Sequence, residues 1–109
     1  LVSSEVARLA ELATTAGTPA DALESLSISI SSDPALAAMR IYDADILVAA
    51  MTNTSSEHYL TIAQIIFGAT QSKAGTGIAM RWLLGQALQP ITPEQSREQA
   101  AHLATDTLF

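Results

Sequence analysis

The arrangement of apolar and polar positions along the chain predicts an all-α protein. Apolar residues recur at helical spacing, and three helix starts combine a capping residue with proline, at Thr18-Pro19, Asp33-Pro34 and Thr92-Pro93. The capping side chain accepts hydrogen bonds from free N–H groups of the first turn, and proline suits the first helical position because it has no N–H to leave unpaired. The pattern therefore favours a helical bundle of five to six helices that forms a single domain over residues 1–109.

Residues 55–88 contain the most apolar part of the sequence, and we expect a central helix there. Between residues 59 and 67, large apolar side chains fall on almost every side of a helical projection. A helix that is apolar all round must be buried all round. The other helices should therefore surround this one, and a small-molecule cavity should lie beside it.

Start and stop signals place the remaining helices. Residues 26–31 also alternate with the period of a strand, yet helix is favoured because the cap at Thr18 is strong and no partner strand is visible. A break is expected near Gly75. The expected elements are a helix over residues 1–16 that ends at Gly17, a helix from Pro19, one long helix over 35–51 that buries Leu36, Met39, Tyr42, Ile46 and Ala50, the central helix, a helix over 78–88, and a last helix from Pro93 to about residue 108.

Charge and composition narrow the function classes. Five basic against 11 acidic residues leave a net charge of −6, which repels phosphate backbones, so this segment is not expected to contact DNA itself. There are no cysteines, so neither a disulfide nor a thiolate metal site can form. The longest uncharged run, residues 58–72, is too short and too polar to cross a bilayer. We expect a cytoplasmic protein without a membrane segment and, because the chain opens on Leu1 without a signal pattern, a longer parent protein.

Residues suited to catalysis or metal binding are few. Glu98, His102 and Asp106 share one face of the last helix, but no fourth metal ligand is in sight, so a solvated stripe is favoured. No nucleophile, base and orienting group can be combined from the sequence. We therefore predict a protein that is not an enzyme and carries no cofactor or metal.

Methionine and aromatic residues provide candidate contacts for a ligand. Thioethers and aromatic rings adapt to ligands of varied shape, and Trp82, the only tryptophan, brings an N–H that needs a partner when buried. Each of these side chains is individually more often part of a core. The residues predicted to line a pocket for a small apolar ligand are Trp82, Phe67, Tyr59, Met39, Met80, Ile62 and Ile66.

Three segments, taken in order, resemble the C-terminal half of TetR-type transcriptional repressors. They are residues 32–42 (SDPALAAMRIY), the central apolar helix, and residues 90–95 (PITPEQ) leading into residues 100–109 (AAHLATDTLF). The first is most similar to the γ-butyrolactone autoregulator receptor branch. The chain departs from the family at Gln89-Pro90, where a Gly-containing turn with a basic residue is common, and it lacks the N-terminal helix-turn-helix.

The resemblance implies an effector-binding and dimerisation domain, with the operator read by an N-terminal domain that this chain lacks. A small apolar effector would favour a conformer unable to hold both DNA half-sites and so release the parent protein from DNA. The last two helices would pair with their copies in an isologous homodimer contact. The residues expected at this contact are Leu84, Ala87, Leu88, Ala100, Leu103 and Ala104.

The alternative function is a helical protein–protein interaction module without a small-molecule ligand. The two functions predict different surfaces. A sealed apolar pocket against Trp82 and Phe67 would favour the effector site, whereas a flat, exposed apolar patch would favour a protein partner.

Overall fold

The computed structural model describes residues 8, 11, 17–53 and 57–105, and this part of the chain is an all-α bundle. The fold class predicted from the sequence is confirmed, and so is helix over residues 26–31. Within the described residues the chain forms six helices and no strand, and the helices are α1 (Pro19–Ser31), α2 (Pro34–Tyr42), α3 (Ala44–Thr52), α4 (Glu57–Thr70), α5 (Lys73–Leu88) and α6 (Pro93–Thr105).

Capping side chains set the starts of α1 and α2 where the sequence predicted them. Thr18 Oγ1 accepts a hydrogen bond from the N–H of Asp21 at 3.1 Å. Asp33 Oδ1 accepts from the N–H groups of Ala35 and Leu36 at 2.8 and 3.2 Å. Both helices thus begin at a proline whose preceding residue satisfies the free donors of the first turn.

A reciprocal capping box begins α6, as the sequence also predicted. The Thr92 N–H donates to Gln95 Oε1 at 3.0 Å, and the Gln95 N–H donates to Thr92 Oγ1 at 3.2 Å. The expected end of this helix, near residue 108, lies outside the described residues. So does the expected first helix over residues 1–16, apart from Arg8 and Glu11.

The break between α4 and α5 lies at Gln71-Ser72, so the expected break near Gly75 and a helix start at residue 78 are wrong. Gln71 has a φ of 59°, a left-handed conformation that ends a helix. Ser72 Oγ then accepts from the N–H of Gly75 at 3.0 Å and caps α5. Gly75 is buried inside the first turn of α5, and its helix penalty of about 1 kcal/mol is offset by this cap.

The single helix expected over residues 35–51 is instead two helices, α2 and α3, which meet at Asp43. Its backbone is not helical, with φ −137° and ψ 42°. The Asp43 N–H donates to the Met39 carbonyl at 2.8 Å, while its own carbonyl accepts from Leu47 N–H at 3.0 Å. Asp43 is thus the C-cap of α2 and the N-cap of α3, although its side chain makes no capping hydrogen bond, and the continuous apolar pattern concealed this break.

The buried core lies where α1, α4, α5 and α6 meet, because α1 packs against the other three helices and α4 packs against α5. The prediction that the apolar helix around residues 59–67 is buried on every side is wrong. Ile66 is fully buried, but Leu60 and Phe67 are 50% and 42% exposed. The fully buried cluster consists of Leu23, Leu26, Ile66, Ala79, Met80, Leu83 and Ala100.

Candidate functional site

Most of the predicted pocket residues converge on the buried core. Ile66 and Met80 belong to the cluster itself, while Tyr59, Ile62 and Trp82 are partly buried and pack against it. The remaining two lie apart from this cluster, since Met39 is half-buried on α2 and Phe67 is exposed on α4. Tyr59, Ile62 and Trp82 thus each contact the buried cluster while remaining partly accessible.

The indole of Trp82 joins this layer to α6. Its Nε1–H donates to Gln99 Oε1 at 2.6 Å. The ring packs on the buried cluster while part of it stays accessible. The indole therefore links α5 to α6 through a side-chain hydrogen bond.

A buried polar network, which sequence reasoning missed, lies beside Trp82. Ser27, Gln86 and Ser96 are buried. Ser27 Oγ donates to Gln86 Oε1 at 2.5 Å and lies 2.7 Å from Ser96 Oγ. Because the single proton of Ser27 is used on Gln86, Ser96 is the donor in the second bond. Ser31 Oγ also donates to Gln86 Oε1, at 2.9 Å.

The same network reaches the backbone at two points. Gln86 Nε2 donates to the Trp82 carbonyl at 3.3 Å, and Ser31 Oγ accepts from the Ile91 N–H at 3.2 Å. The network thus ties α1, α5, α6 and the α5–α6 loop together through satisfied hydrogen bonds, which fixes their relative positions. The only signal in the sequence is the pair Ser27 and Ser31, one turn apart on the otherwise apolar side of α1.

An open groove of about 500 Å³ lies at the junction of α1 and α2. At its edge Arg8 Nη2 lies 3.9 Å from Asp33 Oδ2. Ser29 Oγ, at its wall, is buried and has no hydrogen-bond partner in the described part of the chain. The groove is distinct from the predicted pocket, and its lining residues are Arg8, Ser29, Ser32, Asp33, Pro34 and Ala35.

The residues predicted at a dimer contact divide into covered and accessible groups. Ala87 and Ala100 are buried by the chain's own helices, so little of their side-chain surface is accessible. Leu84, Leu103 and Ala104 are half-buried, and Leu88 is 41% exposed. Ala100 is covered because it packs in the core cluster that α1 also forms.

An exposed apolar surface lies on α2 and α3 instead. We call it the α2–α3 apolar surface and define it as Ile41, Tyr42, Ile46 and Val48, which are 72%, 80%, 58% and 42% exposed. α2 buries no side chain, and α3 buries only Leu47. The expectation that Tyr42, Ile46 and Ala50 are buried is wrong, because the break at Asp43 redirects α3 and leaves these residues uncovered.

The described residues contain no group of three or more metal-ligating side chains arranged to hold an ion. Of the triplet on the last helix, Asp106 lies outside those residues. Each helix in the same part of the chain is too short or too polar to cross a bilayer.

Comparison of the chain with protein-family models, with curated proteins and with solved structures gave no significant match. The TetR-type function is therefore a proposal, which depends on the quoted segments and on the contacts described above.

Proposed function

We propose that this chain is the effector-binding and dimerisation domain of a TetR-type transcriptional repressor, and that a small apolar ligand releases the parent protein from DNA. The observation that supports the proposal is that Tyr59, Ile62 and Trp82, three of the predicted pocket residues, pack against the buried cluster while only partly buried. An apolar ligand there would gain roughly 25 cal/mol for each Å² of apolar surface removed from water. Ligand sites are typically apolar with few polar groups, and Gln99 beside Trp82 provides such a group.

The contacts of Trp82 suggest how a bound ligand would change the arrangement of the helices. Its ring is hydrogen bonded to Gln99 on α6, and its carbonyl accepts from Gln86 in the buried polar network. A ligand that displaces the ring would change the contacts of α5 with α6 and would disturb the network that holds α1. A ligand that binds one of these two arrangements of the helices more tightly than the other shifts the population toward it.

The charge of the chain supports a parent protein in which a separate domain binds the DNA. A net charge of −6 opposes contact with phosphates, so the operator would be read by an N-terminal DNA-binding domain outside this chain. Such a regulator acts in the cytoplasm, and its two half-sites require a homodimer.

The first test is a ligand titration followed by tryptophan fluorescence, because Trp82 is the only tryptophan in the chain. The probe is an alkyl-substituted γ-butyrolactone, chosen from the family resemblance. We expect saturable change in emission and a raised melting temperature. Tyr59→Ala should weaken binding about tenfold, equivalent to about 1.4 kcal/mol.

Tyr42→Ala is the matched control, because Tyr42 is the other tyrosine and lies exposed on α2. It should bind the lactone as the unchanged chain does. Melting curves of both variants separate lost binding from lost stability. Equal losses of affinity in both variants, or no response of the unchanged chain to the probe, would contradict an effector site at Trp82.

A second function, a protein–protein interaction module without a ligand, is favoured by the α2–α3 apolar surface. Exposed apolar patches formed by several large side chains commonly mark contacts with other proteins. The same titration separates the two functions, because the interaction module predicts no saturable response at Trp82. It predicts instead that Tyr42→Ala, and not Tyr59→Ala, weakens association in a pull-down from cells that express the parent protein.

A further inference from the structure

Helix α3 is apolar around its whole circumference, yet most of it is uncovered. Its sequence, ADILVAAMT, has Asp45 and Thr52 as its only polar residues, and Leu47 is its only buried side chain. A helix of this composition is normally buried on all sides. Within the described residues, α3 therefore keeps apolar surface that another molecule could cover.

One face of α3 is suited to close contact with another helix. Ile46, Ala49 and Ala50 are all exposed, and their spacing of i, i+3 and i+4 puts them on one side of the helix. The two alanines leave a shallow depression beside the bulk of Ile46. Ile41 and Tyr42, at the adjoining end of α2, extend the apolar area.

We infer that this face of α3 binds the same face of a second copy of the chain. The two α3 helices then run antiparallel, related by a two-fold axis that lies level with residue 48. This inference rests on the proposed homodimer but places it on α3 rather than on α5 and α6. In this arrangement Ile46 packs against Ala50 of the second copy, and the reverse contact follows by symmetry. The two Ala49 side chains meet close to the axis.

The position of the acidic residues makes the contact compatible with a second copy of an acidic chain. After Asp45, the remainder of α3 carries no charge. With a rise of about 1.5 Å per residue, the antiparallel arrangement separates the two Asp45 residues by about 9 Å along the helices, and the helices are a further 8–10 Å apart. The two offsets combine to a separation of about 12–13 Å, which exceeds the Debye length of about 10 Å at 0.1 M salt, so the repulsion is largely screened.

The available area also fits a two-fold contact. The exposed parts of Ile41, Tyr42, Ile46 and the two alanines amount to roughly 500 Å² per copy, so a dimer would bury about 1,000 Å² in total, the lower limit for a specific interface. We therefore expect a weak dimer that forms in the micromolar range. On α5 and α6, by contrast, Ala87 and Ala100 are already covered by the chain itself.

The experiment is sedimentation velocity of the full chain from low to high micromolar concentration, comparing the unchanged protein with Ile46→Asp and Leu88→Asp. Both substitutions place a carboxylate at an exposed apolar position, so both should leave the fold, checked by circular dichroism, intact. We expect Ile46→Asp to raise the dissociation constant by at least about 100-fold, because the carboxylate would be buried without a partner. Leu88→Asp should leave it unchanged.

A disulfide test adds a positive readout, because the chain has no native cysteine. Ala49→Cys should form a covalent dimer on oxidation, since the two positions meet at the axis. Ala74→Cys, at another exposed alanine, on α5, is the control and should not. A dimer that resists Ile46→Asp but is broken by Leu88→Asp overturns this inference and keeps the proposed dimer on α5 and α6. A monomer at every concentration overturns the homodimer itself.

Discussion

Two regions of this molecule differ in which side chains they bury: one buries polar groups, and the other exposes apolar ones. Where α1, α5 and α6 meet, the hydroxyls and amide of Ser27, Ser96 and Gln86 are buried, and each has a hydrogen-bond partner. On α2 and α3, isoleucine, valine and tyrosine side chains are exposed. The comparison shows that burial follows from which helices meet, and that residue polarity alone does not decide it.

The two regions also differ in how they are held. The α1–α5–α6 region combines a fully buried cluster with the polar network. The pair α2 and α3 has Leu47 as its only buried side chain. It is joined to the rest by packing of α2 against α5 and by Arg40 Nη1, which donates to the Ala87 carbonyl at 2.7 Å. We therefore expect substitutions in the first region to cost global stability and those in the second to act locally.

The largest effect is expected from Leu23→Ala, at the centre of the first region. Leu23 has no exposed surface, so the change loses transfer free energy and leaves a cavity, which lowers the free energy of unfolding by about 3 kcal/mol. Urea unfolding followed by circular dichroism measures this. Leu60→Ala, which removes the same atoms at a 50% exposed position, should cost less than about 1 kcal/mol; equal losses would show that the core is not where the structure places it.

Gln86→Leu should have the next largest effect, about 2 kcal/mol, because it removes the acceptor of two serine hydroxyls while keeping the side-chain volume similar. Ser27 and Ser31 both donate to Gln86 Oε1. Unfolding in urea again provides the measurement. Adding Ser27→Ala and Ser96→Ala to this variant should restore at least part of the loss, because the two buried serine hydroxyls of the network are then no longer left unpaired.

That rescue is specific to a hydrogen-bonded network. If Gln86 contributed through packing alone, the triple variant would be less stable than Gln86→Leu, since each serine truncation removes further contacts. Such a result would contradict the network as the element that joins α1, α5 and α6.

Arg40→Met should loosen the second region without unfolding the first. The substitution keeps most of the aliphatic side chain and removes the donor to the Ala87 carbonyl, a charged hydrogen bond worth about 1.5 kcal/mol. Hydrogen exchange should quicken at the amides of residues 34–52 and stay unchanged in α1. Arg81→Met, at an exposed arginine on α5, is the control, and faster exchange throughout the chain in Arg40→Met would contradict a local attachment.

The smallest effect is expected at the start of α2. Asp33→Ala removes the oxygen that accepts from Ala35 and Leu36, which should cost about 1 kcal/mol. Asp33→Asn keeps that acceptor and loses only the charge, so its urea midpoint should stay close to that of the unchanged chain. If the two variants are equally destabilised, the charge near Arg8, rather than the cap, is the stabilising feature.

Local signals in the sequence were sufficient for the fold class and for several helix starts. Thr18, Asp33 and Thr92 each precede a proline and each accept the hydrogen bond that was predicted for them. These interactions join residues at most three positions apart, so they can be predicted from the sequence without knowledge of the tertiary structure. The candidate ligand site is a prediction that the fold partly organises, since Tyr59, Ile62 and Trp82 reach the same cluster.

Contacts between residues far apart in the sequence decided which side chains are paired or buried, which the apolar pattern alone did not determine. The Ser27–Gln86 bond joins residues 59 positions apart, and no periodicity in α1 or α5 indicates that pairing. Likewise, the apolar pattern of residues 59–67 predicted burial on every side, but Leu60 and Phe67 are exposed because no described helix packs over them.

The sequence by itself determined that this protein is helical and where three of its helices begin, because capping and proline act within a single turn. Only the tertiary structure decided that Gln86 is buried while Ile46 is exposed. The physical reason is that hydrophobic burial is a property of the space between elements, set by which helices meet and at what angle, and that information is not contained in the residues of any one helix.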